Sequence, residues 1–189
     1  MYAYNLNREF SDSVYRLEEI NFKEFESCTF TNCDFSGCNF IAVTFVDCTF
    51  FNCNFNGANI NHVAFRTVYF NSCQIKDVNF AMCDKLIFEI HFKKSVLDFS
   101  KFYSLKLKST SFLESSLVAV DFMEADLTNA QFINCDLYRA EFDRANASKA
   151  DFRTSINFSI DPSRTKINKA LFAKAGLKGL LTKHDIIVQ

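Results

Sequence analysis

Large apolar residues recur along this chain at every fifth position, a spacing that suits neither a helix of 3.6 residues per turn nor a strand alternating every two. The series runs through Phe25, Phe30, Phe35, Phe40, Phe45, Phe50, Phe55, Ile60, Phe65, Phe70, Ile75 and Phe80. It slips by two residues and resumes at Phe92, Leu97, Phe102, Leu107, Phe112, Leu117, Phe122, Leu127, Phe132, Leu137, Phe142, Ala147 and Phe152. These centres hold 17 of the 24 Phe, where chance placement in one five-fold frame would give about a fifth of them. Two residues before most centres stands a small residue, as in Cys28, Cys33, Cys38, Val43, Cys48, Cys53 and Ala58, or Ser115, Val120, Ala125, Ala130, Cys135, Ala140, Ala145 and Ala150.

A corner every five residues explains both positions. Four sides close a square coil of twenty residues, and residues two apart in an extended side point the same way. Each side therefore sends one large centre and one small partner inward. Two large residues per side would overfill the lumen, and overpacking costs about 1–3 kcal/mol per site. Residues twenty apart should stack, giving about six coils and, at the ~4.8 Å spacing of adjacent strands, a rod ~30 Å long. In the second run Phe and Leu alternate, which predicts Phe on one pair of opposite sides and Leu on the other.

The triplets Cys33-Asp34-Phe35, Cys38-Asn39-Phe40, Cys53-Asn54-Phe55, Ala125-Asp126-Leu127, Cys135-Asp136-Leu137 and Ala150-Asp151-Phe152 resemble the A-(D/N)-(L/F)-x-x unit of the pentapeptide-repeat family. The likeness covers roughly residues 25–155. It implies an all-β fold, a right-handed quadrilateral parallel β-helix. Residues 81–91, where Lys85 stands in place of a centre, predict a bulge or short kink rather than a linker.

The ends differ from the middle. Residues 1–24 read as an irregular cap or partial coil, because Arg8, Glu18 and Lys23 occupy slots that should be small, and Ile20-Asn21-Phe22 suggests another register. The β-helix is expected over 25–158. After Asp161-Pro162, residues 159–189 predict one or two short helices over 168–184 and a strand at Asp185-Ile186-Ile187-Val188, together a cap and dimerisation element. This tail, through Ile160-Asp161-Pro162, Ala175-Gly176-Leu177-Lys178 and Ile186-Ile187-Val188, resembles that of topoisomerase-protecting members of the immunity and quinolone-resistance types.

Composition narrows the chemistry. With 21 Lys/Arg against 22 Asp/Glu the net charge is −1, without the basic excess of a nucleic-acid or membrane binder. No apolar run reaches the ~18 residues of a membrane span, and the first residues lack a secretory pattern, so a cytoplasmic location is expected. All eight Cys fall in the small inward slot and read as reduced, buried hydrophobes rather than metal ligands. His62, His91 and His184 pair with no nucleophile by spacing, and no glycine motif cradles phosphate. No enzyme activity, metal or cofactor is expected.

The remaining chemistry lies on the outer surface. Asp121, Glu124, Asp126, Glu141 and Asp143 gather around the stacked Phe122 and Phe142 as a candidate acidic stripe, preceded by Lys93, Lys94, Lys101, Lys106 and Lys108. The family resemblance implies a homodimeric mimic of DNA that occupies DNA gyrase or topoisomerase IV and shields it from a quinolone or peptide poison. The stripe would meet the enzyme, and Phe172, Leu177, Leu180, Leu181 and Ile186 would join the two copies. The alternative is an interaction scaffold for an unrelated protein.

Overall fold

In the computed structural model, described for residues 3–16, 18–184 and 186, the chain winds into a four-sided parallel β-solenoid. One side is a seven-stranded parallel sheet and another a four-stranded one, while isolated parallel bridges connect the coils on the other two. Partners lie twenty residues apart, as in Phe25↔Phe45 and Phe30↔Phe50, and twenty-two apart across the slip, as in Phe70↔Phe92.

The sides are numbered from the N-terminus. The second side carries an unbroken column of nine rings: Phe10, Phe30, Phe50, Phe70, Phe92, Phe112, Phe132, Phe152 and Phe172. Successive centroids are 4.7–5.4 Å apart and successive planes within 15°. The opposite, fourth side stacks Phe80, Phe102, Phe122 and Phe142, whose edges meet the faces of the second-side rings. Leu97, Leu117 and Leu137 fill the third side, and Leu107 and Leu127 the first, all at most 1% exposed. The alternation of Phe and Leu thus sorts onto opposite sides. Each aromatic pair adds about 0.5–1.5 kcal/mol to the burial itself.

The corners explain why four glycines and one proline suffice. Two residues after nearly every centre the backbone enters the left-handed region. Among the described residues, 27 non-glycine positions, together with Gly37 and Gly57, have φ between +51° and +64°. Many of these corners are hydrogen-bonded turns in which the slot amide donates to the centre carbonyl three residues back, as from Cys38 to Phe35 (3.1 Å) and Ala125 to Phe122 (3.1 Å).

At several second-side corners, and after Ile75 on the third side, a different device operates. There the slot amide donates to the slot side chain of the following coil: Cys33 to Cys53 Sγ (3.4 Å), Cys73 to Ser95 Oγ (3.1 Å), Ser95 to Ser115 Oγ (3.1 Å). Each of those side chains donates onward to backbone carbonyls, Ser95 to Phe70 (3.2 Å) and Lys93 (3.0 Å). The relay is seen at three steps of the column Cys33, Cys53, Cys73, Ser95, Ser115, Cys135, Ser155, in which every residue carries a side-chain donor. At Ser155 the next slot is Ala175, and the corner reverts to a direct bond to Phe152 (3.2 Å).

Where Asp or Asn precedes a centre it often has a structural task. Its Oδ1 accepts the amide two residues on, as at Asp34–Ser36 (2.9 Å), Asn54–Asn56 (3.1 Å), Asp136–Tyr138 (3.0 Å) and Asn146–Ser148 (3.2 Å).

The ladder begins earlier and ends later than the sequence boundaries at 25 and 158. Ala3–Leu6 pairs with Lys23–Glu26 and Glu9–Ser11 with Thr29–Thr31, so Asn5, Phe10, Tyr15 and Ile20 are centres in the same frame as Phe25. Arg8 donates to Asn5 Oδ1 (3.0 Å) with its guanidinium over the Phe10 ring (5.5 Å), and Glu18 is exposed. At the other end Asn157 turns outward at φ 59°, Phe158 and Ile160 point inward, and the frame returns in phase. Lys166 bridges Asn146, Leu171 bridges Asp151, and Phe172 stacks on Phe152.

The tail then forms 3-10 turns at Lys174–Leu180 and Thr182–His184. Gly179 seats the first against Phe158, where an added Cβ would lie 2.5 Å from the Phe158 carbonyl oxygen. The strand expected at 185–188 lies outside the described residues apart from Ile186. The two extra residues near 85 form a bulge on the first side. Lys85 is exposed, Phe88 packs edge-on against Phe65 (6.5 Å), and Ile87 stands exposed at φ 56°.

Two stability outcomes follow. Ser95→Ala strands the buried Cys73 amide and should cost about 1–3 kcal/mol in chemical denaturation, whereas Ser95→Cys should recover most of the loss. Ile87→Gly removes a β-branched residue from the left-handed region at an exposed site and should raise stability by about 1 kcal/mol.

Candidate functional site

The filled lumen leaves function to the outer side chains. Asp121 and Glu141 are bridge partners on the fourth side, in one column with Lys101. Glu124 and Asp143 lie at the corner between the fourth and first sides, and Asp126 lies around that corner, in a column with Lys106, Asn146 and Lys166. The five stripe acids therefore occupy adjoining sides of neighbouring coils.

Their charges are largely met from within the chain. Arg144 bridges Glu124 (2.9 Å) and Asp143 (3.4 Å), Arg164 binds Asp143 (2.8 Å), Lys108 lies 3.3 Å from Asp126 and Lys183 3.7 Å from Glu141. The Tyr103 hydroxyl donates to Glu124 at 2.7 Å. Asp121 and Asp126 stand at the pentad's Asp/Asn position and hold corner amides, of Met123 (2.8 Å) and Thr128 (3.2 Å). Exposed pairs of this kind contribute only about 0–1 kcal/mol each, yet they cancel much of the negative field that a DNA mimic needs.

The cations were the signal that sequence reading passed over. In a twenty-residue coil a side chain's lateral neighbour is about twenty positions away, which is the separation of Glu124 from Arg144 and, within one, of Asp143 from Arg164.

The tail residues expected at a dimer contact divide. Phe172 stacks on Phe152 and packs against Phe158 (5.5 Å), Leu180 packs against the core and Leu181 is half-buried, so these close the coil. Leu177 and Ile186 face outward. All eight cysteines are buried and free, and burial pushes the thiol of Cys48 up to about 12 and that of Cys135 up to about 11. His91 stacks on Tyr69 (5.0 Å) and exchanges a hydrogen bond with Ser111 (2.9 Å), while His184 lies 3.5 Å from Asp161. Among the described residues no three His, Cys, Asp or Glu side chains form a metal-binding group, and no helix is long and apolar enough to cross a membrane.

Two family models match the chain, one described as a pentapeptide repeat region over residues 23–86 and one as pentapeptide repeats (8 copies) over 121–156, together just over half its length. The chain belongs to the pentapeptide-repeat family. No curated protein matches it by sequence. Among solved structures, the pentapeptide-repeat chain is similar to trypsin-treated QnrB1, a plasmid-mediated fluoroquinolone resistance protein, with a TM-score of 0.64 at 14% identity over all of both chains. A second QnrB1 form gives a TM-score of 0.66 at 15% identity, covering 98% of this chain and 99% of the other. HetL, a pentapeptide repeat protein involved in heterocyst differentiation regulation in the cyanobacterium Nostoc sp. strain PCC 7120, gives 0.72 at 10% identity, covering 92% and 87%. At these identities the likeness is one of fold.

The acids also set the pH response. Arg153 holds the Asp151 carboxyl below the ordinary aspartate value, and Ser163 does the same for Asp161. At Asp126 burial pushes upward but is outweighed by Thr128 and Lys108, so that carboxyl is lowered too. A depressed folded pKa contributes stability that is complete above the unfolded value and lost as pH falls through the folded one. Thermal stability should thus hold from pH 7 to about 5 and decline below about 4, with a shallower decline in Asp151→Asn.

Proposed function

We propose that this chain acts as a rigid rod that binds another protein through its outer side chains, with no chemistry of its own. The observation that carries this reading is the filled interior. Between the terminal coils the lumen is filled at every level by Phe, Leu, Ile, Val, Cys and Ala side chains, with a few small Ser and Thr, at near-zero exposure, which leaves no internal pocket in which polar groups could converge on a substrate. The ladder fixes the spacing of exposed side chains at one coil along the axis and one side around it, a preorganised surface that loses little entropy on binding.

A second, more specific reading has its own support. The likeness to QnrB1 runs over the full chain, and it favours a rod that occupies DNA gyrase or topoisomerase IV and shields the enzyme from a quinolone or a peptide poison. The pairing of Glu124, Asp126, Glu141 and Asp143 with Arg144, Lys108, Lys183 and Arg164 weighs against that role, since a mimic of DNA must present its charge unpaired.

A supercoiling assay with purified gyrase, with and without a fluoroquinolone, separates the two. Topoisomerase binding at ~1–10 µM, about −7 to −8 kcal/mol, would appear as inhibition or as rescue from the drug. Unchanged supercoiling at ten times that concentration removes the topoisomerase reading and leaves the rod to another partner.

A further inference from the structure

Charge is distributed unevenly along the axis. Residues 1–60 carry three Lys/Arg and eight Asp/Glu, a net −5; residues 61–160 carry twelve of each; residues 161–189 carry six Lys/Arg and two Asp, a net +4. Because each coil advances the chain by one ladder spacing, this sequence gradient becomes a spatial one. The rod is acidic at its N-terminal end and basic at its C-terminal end.

Half of the twelve acids in residues 61–160 are in ion pairs with Lys or Arg. None of Glu9, Asp12, Glu18, Glu19 and Glu24, all exposed, is within ion-pair distance of a cation among the described residues. At the other end Lys166, Lys169, Lys174 and Lys178 are exposed and equally unpaired. Each end adds apolar surface: Tyr4, Leu6 and Val14 on the first coil, Leu171 and Leu177 on the last. The second-side column ends in Phe10, over which the Arg8 guanidinium lies (5.5 Å), and in Phe172 at the other extreme; both rings are only half-buried.

From this we infer that a second copy of the chain docks end to end, with the acidic N-terminal coil of one rod against the basic C-terminal cap of the next. Opposite charge steers the ends together, and the apolar residues at each end lose water on contact. Such a contact is heterologous and does not close on itself along a straight axis, so copies add in series. A symmetric tail-to-tail pair would instead bring two +4 ends together. The inference is independent of any topoisomerase role.

Sedimentation velocity of the full chain tests it, at about 0.01 M and about 1 M salt, where charges are screened over ~30 Å and ~3 Å. At low salt the average mass should climb steadily with protein concentration, and at high salt it should fall to that of one chain. The head-reversed variant Glu9→Lys/Glu18→Lys and the tail-reversed variant Lys174→Glu/Lys178→Glu should each associate at least about tenfold more weakly alone. Mixed in equal amounts they should associate again, since each then meets an opposite end. Monomers at low salt in wild type, or no recovery on mixing, would overturn the inference. So would a dimer that persists at high salt and in both variants, which is the signature of an apolar tail-to-tail pair.

Discussion

Everything in this rod depends on filling a lumen of fixed width, one coil at a time. The ladder sets adjacent coils about 4.8 Å apart, close to the 4.7–5.4 Å that separates stacked rings in the second-side column. A ring at each level therefore contacts the rings above and below it without a gap, and the small slot leaves room for the opposite side. Backbone spacing and aromatic thickness agree, so hydrogen bonding and packing are satisfied by the same geometry. That agreement lets most corners adopt a left-handed residue that costs a non-glycine side chain about 1–2 kcal/mol.

The cysteines show how a single position serves two demands. They are small enough for the slot and they carry a donor. Cys48 reaches the carbonyls of Phe25 (3.4 Å) and Val46 (3.2 Å), and Cys135 that of Phe112 (3.1 Å). Alanine serves where the turn closes by a direct amide bond, as after Phe122 and Leu127. Alanine in the slot accompanies the direct corner, whereas Cys and Ser occur at both kinds, as Cys38 and Cys33 show.

Much of this was legible in the residues because the period is short and the inward positions repeat. The alternation of Phe and Leu, the stacking at twenty and the burial of every cysteine all follow from the pattern. The first coil was hidden because Arg8 and Glu18 occupy slots that an interior coil would forbid and a terminal coil tolerates. The last coil was hidden because the detour through Asn157 and Pro162 interrupts the period before Ile167 and Phe172 rejoin it in phase. For the outer surface, the acids were visible as a cluster, but their cations lie one coil away, where proximity in sequence gives no hint.

The relay at the second-side corners has a direction. The slot amides of Cys33, Cys73 and Ser95 all lean on a side chain supplied by the coil that follows. Peeling the rod from its C-terminal end removes that support from the coil left behind, so one loss weakens the next. Peeling from the N-terminal end leaves those slot amides bonded. The solenoid is a zipper with an uneven grain, and Ser155, whose amide turns back on its own coil, is the stop at the end that needs one.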